Sequence, residues 1–268
     1  MALFTGVQLA SWDPLRAVKS RAVCPKCHSS RKFFCYTCYE VVGLQPEVLP
    51  TVTLPVSVDI IKHPGEVAGK STAVHARILS PRHVSIYDYP TVPDYPDLAK
   101  VVLVYPKEDA LTIPELAARL KSRIPEGQTK GSVWDLLDKV IFIDSTWQQT
   151  HRILIDEKIQ KLTCVKLTDA VTCFWRPQAK SPNCLATIEA IYYFFKELDS
   201  CMSPGPYTGC YDNLLYFYAY QYSIVHRAQE EKRVAAGDEA NCSDQSSSTT
   251  HAHFAPSGSS SSCSSSLK

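Results

Sequence analysis

The feature that most constrains the fold of this chain is a short apolar segment that ends abruptly in polar residues. Residues 140–143 are all apolar, and residues 144–147 read Asp-Ser-Thr-Trp. A short apolar run closed by polar residues is typical of a buried parallel strand that leads into a loop. In open α/β sheets, ligands bind beyond the carboxyl ends of such strands. The pattern therefore predicts an α/β fold with a ligand site beside Asp144.

These polar residues allow two interpretations. Asp144 can act as a base, and the Trp147 indole beside it can stack on a flat ligand. Alternatively, Asp, Ser and Thr are favoured helix N-caps, and residues 148–159 have a helical pattern, so the segment can simply start a helix. The indole can also be part of the core. The spacing alone leaves both interpretations open.

Strand-like and helix-like segments alternate along the middle of the chain. Strands are predicted at residues 56–61, 100–105, 139–143 and 164–167. Helices are predicted at residues 67–79, 113–124, 148–162, 183–198 and 214–226, with Thr112 as the N-cap of the second. This alternation implies a mostly parallel sheet with helices on both faces.

The length of 268 residues allows one sizeable core and a small additional lobe. We predict a lead-in at residues 1–20, a cysteine-rich lobe at 21–50, a catalytic α/β domain at 51–228 and a disordered Ser-rich tail at 229–268. The apolar runs are too short to span a bilayer, and we expect no signal peptide and no membrane association.

Four cysteines near the start form two CxxC pairs separated by seven residues: Cys24, Cys27, Cys35 and Cys38. Each pair can bend around one metal ion, and together they complete a tetrahedral thiolate set that suits zinc. A redox-active CxxC is the alternative, but the second pair and the lack of a preceding strand disfavour it. Four ligands leave no open position, so the predicted zinc is structural.

Basic and aromatic residues are interleaved around these cysteines. Lys26, Arg31 and Lys32 are the basic members, and three aromatic residues lie at positions 33, 34 and 36. Such a combination is typical of surfaces that bind RNA. A merely solvated basic face is equally consistent with the charges.

Two further segments carry polar groups at predicted junctions. His63 follows a strand, and Lys70 and Thr72 begin the next helix, where a phosphate or carboxylate can bind. This is not a Walker loop, because Pro64 replaces its first glycine. Arg176 can clamp a carboxylate through two hydrogen bonds, or form a surface salt bridge.

Three motifs together resemble the DTW-domain family of tRNA-uridine aminocarboxypropyltransferases. They are Asp-x-Thr-Trp at residues 144–147, His-Pro-x-Glu-x-x-x-Lys-Ser-Thr at 63–72 and Leu-Ala-Thr-Ile-Glu-Ala at 185–190. The resemblance covers about residues 21–227, includes both CxxC pairs and is strongest to a eukaryotic member of the family. One departure is Ala186, where the family usually has Ser.

The resemblance implies a SPOUT-like parallel sheet with a knotted C-terminal half that binds S-adenosyl-L-methionine. Knots are otherwise nearly absent from proteins, so the periodicity could not have indicated one. The residues expected to bind this cofactor are His63, Lys70, Thr72, Arg176, Leu185, Thr187 and Glu189. Lys70, Thr72 and Arg176 are the candidates for holding its carboxylate, in no ranked order.

The resemblance also implies a reaction. The 3-amino-3-carboxypropyl group of the cofactor is transferred to N3 of a tRNA uridine in the D-loop, at position 20, and methylthioadenosine is released. Asp144, Thr146 and Trp147 are the expected catalytic residues. Asp144 would accept the N3 proton or orient the imide, and Trp147 would stack on a base or contact the sulfonium.

The expected partner is tRNA, and no obligate protein partner is evident. By resemblance we expect the protein in the nucleus, with the cytoplasm also open. One alternative is a SPOUT-type RNA methyltransferase that uses the same cofactor. Another is a zinc-stabilised RNA- or protein-binding module without catalytic activity.

Overall fold

A computed structural model describes residues 4, 6–124, 133–168, 170–172, 174 and 184–243. The strands are β1 (Ala22–Val23), β2 (Ser30–Arg31), β3 (Phe34–Cys35), β4 (Glu40–Val41), β5 (Ser57–Lys62), β6 (Val84–Asp88), β7 (Val101–Val104), β8 (Leu111–Thr112), β9 (Lys139–Asp144) and β10 (Thr163–Lys166). The helices are α1 (Asp13–Ala17), α2 (Ala73–Leu79), α3 (Ile113–Lys121), α4 (Trp147–Leu154), α5 (Thr187–Met202) and α6 (Tyr216–Ser243). Short 3-10 helices lie at Pro46–Val48, Leu98–Lys100, Val133–Leu136 and Asp212–Leu215.

The central sheet contains, among the described residues, six strands in the order β6-β5-β9-β7-β10-β8. All of its pairings are parallel, so the carboxyl ends of the strands share one edge. β9 lies between β5 and β7, and its last residue, Asp144, pairs with Lys62 at the end of β5. The predicted parallel sheet is confirmed, and Asp144 lies at the edge where ligands bind in such sheets.

The side chains of β9 alternate between two apolar cores. Val140 and Phe142 lie in one core, together with buried residues of α3 and α5. Ile141 lies in the other core, together with Ile153 of α4. Successive side chains of a strand point to opposite faces, so helices cover both faces of the sheet, as predicted.

Four elements differ from the prediction: the strands β6 and β8 and the helices α2 and α4. The sequence did not indicate β6 or the two-residue edge strand β8. α2 starts at Ala73 instead of residue 67, because the backbone turns at Val67, whose carbonyl accepts hydrogen bonds from the N–H groups of Lys70 and Ser71. α4 ends at Leu154 instead of residue 162, because Asp156 Oδ1 accepts the N–H of Lys158 and favours a turn.

Two short hairpins near the N-terminus carry the cysteines. β1 pairs with β2 and β3 pairs with β4, both antiparallel. His28 and Tyr39 directly follow the second cysteine of each pair, and both adopt a left-handed backbone, with φ of 56° and 59°. The two CxxC segments therefore turn in the same way.

The lead-in packs on the α/β domain through buried contacts. Leu15 of α1 is fully buried beside Tyr216, and the N–H of Gln8 donates to Asp212 Oδ2 at 2.6 Å. Met1–Val225 forms one compact unit, and His226–Lys268 is assigned to a second. The predicted lead-in is thus an integral part of the first unit.

The C-terminal helix α6 extends to Ser243. Residues 229–243 are therefore helical, where the sequence predicts the start of a disordered tail, while the predicted boundary itself lies close to the division at His226. Residues 228–236 are rich in Ala, Glu, Lys, Arg and Gln, which favour a helix without burying an apolar face. Residues 244–268 lie outside the described part of the chain.

None of the described helices has the length and apolar composition needed to cross a lipid bilayer.

Candidate active site

The carboxylate of Asp144 is buried between two hydroxyl groups. Asp144 is 3% exposed at the end of β9. Its Oδ1 accepts a hydrogen bond from Thr187 Oγ1 at 2.6 Å, and its Oδ2 accepts one from Ser71 Oγ at 2.7 Å. Each hydroxyl can pass a proton on, so this carboxylate can exchange protons with a ligand on either side.

The protein environment makes Asp144 a stronger base than an ordinary aspartate. Burial raises the pKa of its carboxyl group above the usual range, because the charged form loses solvation. Hydrogen bonds from Thr187 and Ser71, and the positive charge of Lys62, act in the opposite direction. Lys62 itself pairs with Asp88 at 2.9 Å. A carboxylate with a raised pKa is suited to accepting a proton near neutral pH.

The sequence left open whether Asp144 is a base or a helix N-cap, and the polar residues that follow it decide between the two roles. Thr146 is the N-cap residue of α4, and its N–H donates to Gln149 Oε1 at 3.4 Å. Ser145 Oγ and Thr150 Oγ1 lie 2.7 Å apart. The helix start therefore belongs to Thr146 and not to Asp144. Trp147 is the first residue of α4, and its side chain lies outside what the structure describes, so its predicted role stays a prediction.

The start of α5 is held by a buried acid. The N-cap is Ala186, and the Glu189 carboxylate accepts hydrogen bonds from the N–H of Ala186 at 2.8 Å and from Thr172 Oγ1 at 2.7 Å. This is one half of a capping box. The other half requires a hydroxyl at the N-cap, which Ala186 lacks.

The other predicted ligand-binding residues on this side form part of the scaffold. Thr72 Oγ1 accepts the N–H of Ile188 at 3.2 Å and so anchors the first turn of α5. His63 is buried, its N–H donates to the Asp144 carbonyl, and its Nδ1 accepts the N–H of Gly65. Their predicted contact with a cofactor stays a prediction, as does that of Glu189. Arg176 lies outside the described residues.

A largely apolar cavity of about 410 Å³ opens at the carboxyl ends of β7, β9 and β10. We call it the apolar cavity; its walls include Val104, Phe142 and Val165 of these strands and Leu185 and Thr187 at the start of α5. The structure thus brings two predicted cofactor residues, Leu185 and Thr187, to one cavity. Its volume falls within the range of roughly 300–1,000 Å³ that is typical of small-molecule sites.

A second cavity, of about 250 Å³, lies between the cysteine-rich lobe and the segment that precedes α2. We call it the basic cavity; its charged and polar walls include Arg21, Arg31, Lys32, Lys70, Ser71, Thr72 and His75. Lys70 and Thr72, which the sequence assigned to the cofactor, therefore lie with two of the predicted RNA-binding residues. Lys26 is elsewhere, and its Nζ pairs with Glu40 at 2.5 Å.

Sequence reasoning missed Ser71 and Lys62 as parts of the site. Ser71 stands inside the motif at residues 63–72, between two residues that were selected. Nothing local distinguishes its hydroxyl from that of Thr72. Lys62 is the last residue of β5, and the sequence does not show which strand lies beside β5. Lys62 is recognised as part of the site only from the register that pairs it with Asp144.

The four cysteines of the N-terminal hairpins converge as the sequence predicts. Their sulfur atoms all lie within 4.8 Å of one another, and Cys27 and Cys35 are 3.5 Å apart. Cys24 and Cys35 are buried. Four zinc–sulfur bonds of about 2.3 Å in a tetrahedron place the sulfurs roughly 3.8 Å apart. The cluster can therefore bind a metal ion, and His28 is not part of it.

The sequence is similar to known proteins over most of its length. Residues 32–226 match the DTW domain, so the match includes the second CxxC pair and begins after the first. The chain is 42% identical over 252 residues to tRNA-uridine aminocarboxypropyltransferase 1 of Mus musculus, covering 82% of this chain and 83% of that protein.

Other relatives with the same name are similarly close. The protein of Xenopus laevis is 40% identical over 85% of this chain and 89% of its own length. The protein of Homo sapiens is 39% identical over 82% of this chain and 83% of its own length. No solved structure matches the chain. Both the domain match and these identities over most of its length show that this chain belongs to the DTW-domain family.

Proposed function

We propose that this protein is a tRNA-uridine aminocarboxypropyltransferase. It transfers the 3-amino-3-carboxypropyl group of S-adenosyl-L-methionine to N3 of a uridine, position 20 of the tRNA D-loop, and releases methylthioadenosine. The names of relatives that match most of the chain support the reaction. The observation that carries it in the structure is Asp144, a buried base held between two hydroxyls beside a ligand-sized cavity.

The donor is proposed to occupy the apolar cavity. Its apolar walls suit an adenine ring and a methylthio group, and Thr187 supplies a hydroxyl to the same space. The bound donor supplies a carbon that is activated for displacement by the adjacent sulfonium. The residues of the cavity then have to hold the activated carbon in line with the acceptor nitrogen, because displacement at such a carbon is governed mainly by positioning.

Asp144 is proposed to accept the proton of uridine N3. The neutral imide nitrogen is a poor nucleophile until it loses this proton, so a base near the reacting atoms increases the rate. Both carboxylate oxygens already accept hydrogen bonds from Ser71 and Thr187. The proton of N3 therefore reaches Asp144 through one of these hydroxyls. Both hydroxyls stay hydrogen-bonded to the carboxylate during this transfer.

Two finer structural features complete the proposal. A zinc ion bound by Cys24, Cys27, Cys35 and Cys38 would fix the two hairpins, and the four closely spaced sulfurs support it. A SPOUT-like knotted C-terminal half is supported by the strand order, because β9 is inserted between the earlier strands β5 and β7 and β10 then lies beyond β7. We propose tRNA as the partner and, from the family resemblance, the nucleus as the compartment.

The by-product of the reaction tests the proposed function directly. Purified protein is incubated with S-adenosyl-L-methionine and unmodified tRNA, and the small molecules are separated by chromatography. Methylthioadenosine in a 1:1 ratio to modified uridine is the expected result. S-adenosylhomocysteine would instead indicate a methyltransferase. The absence of any by-product, with no donor binding in a calorimetric titration, would indicate a non-catalytic binding module.

A further inference from the structure

Asp144 lies between the two cavities and is linked to each by one hydroxyl group. Thr187 lines the apolar cavity and donates to Oδ1. Ser71 lines the basic cavity and donates to Oδ2. One buried carboxylate is thus shared by two spaces of opposite chemical character.

The walls of the basic cavity suit a phosphate group. Arg21, Arg31, Lys32 and Lys70 contribute positive charge, and no acidic side chain lines the cavity within the described part of the chain. Arg and Lys bind phosphate oxygens through charge-assisted hydrogen bonds. These four residues come from two separate segments, and all of them line the same space.

The same cavity suits a base or ribose as well as a phosphate. Four aromatic residues line it, and the Arg31 guanidinium stacks over the Tyr36 ring at 3.9 Å from the ring centroid. Aromatic rings and stacked guanidinium groups are typical platforms for unpaired bases. His75 also lines the cavity; it is 2% exposed, and its Nδ1 has no hydrogen-bond partner among the residues described. This nitrogen is available to a polar group of a ligand.

We infer that the basic cavity binds the target nucleotide of the RNA, with its phosphate on Arg21, Arg31, Lys32 and Lys70 and its uracil N3 directed at Ser71. This inference rests on the proposed function and specifies which side of Asp144 the RNA occupies. It assigns Lys70 to the RNA instead of the cofactor. It also gives Ser71 a role that the sequence did not indicate.

Ser71 then relays the proton that N3 loses. The N3 proton passes to Ser71 Oγ as the hydroxyl proton of Ser71 passes to Asp144 Oδ2. The electron pair left on N3 forms the bond to the donor's aminocarboxypropyl carbon. The carbon–sulfur bond breaks at the same time, and its electron pair stays on the sulfur of methylthioadenosine. One proton is gained by Asp144, and no oxidant or further reactant is needed.

The first test compares RNA binding by two double variants that lose the same charge. Lys32→Gln/Lys70→Gln removes two cations of the basic cavity. Lys100→Gln/Lys161→Gln removes two cations just before β7 and β10, at the opposite edge of the sheet. Binding of an unmodified tRNA transcript is measured by fluorescence anisotropy at several salt concentrations.

The cavity variant is expected to bind tRNA at least about tenfold more weakly than the control variant. Its plot of log affinity against log salt should also be less steep than that of the control variant, because fewer cations contact phosphate. Donor affinity, measured by calorimetry, should be equal in the two variants. Equal tRNA affinities and equal salt slopes in both variants would overturn the inference. This binding experiment does not depend on turnover, so it separates failure of the inference from failure of the proposed reaction.

The second test concerns the Ser71 hydroxyl. Ser71→Ala should bind tRNA and donor as the wild type does but lose turnover by at least about a hundredfold, the contribution of a proton relay. Ser71→Thr keeps a hydroxyl and should recover most of the activity. Because Ser71 Oγ also accepts the N–H of Ala73, thermal unfolding is measured for both variants. A stable Ser71→Ala protein with near wild-type turnover would exclude the relay.

Discussion

Thr187 and Asp144 lie 43 residues apart in the sequence and are joined by a 2.6 Å hydrogen bond from Thr187 Oγ1 to Asp144 Oδ1. The bond ties the end of the central strand β9 to the first turn of α5. It also connects the buried carboxylate with the apolar cavity that Thr187 lines. The position of the base therefore depends on two elements that meet only in the folded protein.

This bond predicts a specific change in the pH dependence of turnover. The Thr187 hydrogen bond favours the charged form of Asp144, so it lowers a pKa that burial raises. Thr187→Val should therefore move the acid limb of the kcat profile to higher pH, since Asp144 must be ionised to accept a proton. Lys62→Gln should shift it in the same direction, because it removes a nearby positive charge. An acid limb that stays in place in both variants would contradict the assignment of Asp144 as the titrating base.

The cysteine cluster predicts one zinc ion per chain. Cys24→Ser and Cys38→Ser should each release the metal and unfold the two hairpins, because metal binding contributes directly to folding in such lobes. Cys210→Ser is the control, since Cys210 is exposed and lies outside the cluster. Elemental analysis of protein purified without chelator measures the metal. Full-length protein that contains no zinc, or a Cys38→Ser variant that retains it, would refute the site.

The incomplete capping box at α5 predicts a stabilising substitution. Ala186→Ser adds a hydroxyl that can accept the N–H of Glu189, in addition to the bond that the Glu189 carboxylate already makes with the Ala186 N–H. The free energy of unfolding should rise by about 0.5–1 kcal/mol, the usual value of an N-cap hydroxyl. Urea unfolding measures this change. Ala186→Val, which adds bulk without an acceptor, should not stabilise the protein, and a gain equal to that of Ser would show that packing is the cause.

The buried imidazole of His75 predicts that stability decreases in acid. Burial lowers its pKa from 6.5 to about 3, so the unfolded chain binds a proton at pH values where the folded protein does not. The stabilisation is complete above pH 6.5 and is lost as the pH falls toward 3. Between pH 7 and pH 5 this single group should reduce the free energy of unfolding by roughly 2 kcal/mol. His75→Phe should show a correspondingly smaller loss in urea unfolding; an unchanged pH dependence would contradict the buried, neutral state.

Local patterns predicted the elements that carry the chemistry. The run at residues 140–143 ends in Asp144, and this pattern identified both the strand and the edge of the sheet at which it ends. The CxxC spacing identified the cysteine cluster for a similar reason, because the four cysteines lie within one short segment. The predicted N-cap Thr112 is confirmed, and its side chain accepts the N–H of Glu115, only three residues away.

Features that depend on distant contacts were not predictable. Ser71 and Thr187 both donate hydrogen bonds to Asp144 from elements far apart in the chain. Their spacing in the sequence does not indicate that they meet. Lys70 was assigned to the cofactor from its place before a helix, and its location in the wall of the basic cavity became visible only in the fold. The sequence did not indicate that Glu189 caps the start of α5. The hydroxyl that would mark a capping box is absent at the N-cap residue, Ala186.

The central claim is that Asp144 accepts the proton of a tRNA uridine during aminocarboxypropyl transfer. Its most direct test is mass spectrometry of the nucleosides from unmodified tRNA that has been incubated with S-adenosyl-L-methionine and either the wild type or Asp144→Asn. Asn keeps the shape of the side chain but cannot accept the proton. The wild type should yield 3-(3-amino-3-carboxypropyl)uridine, and Asp144→Asn should form it about 10²- to 10⁴-fold more slowly while binding donor and tRNA normally. Near wild-type product from Asp144→Asn, or a methylated nucleoside from the wild type, would contradict this account.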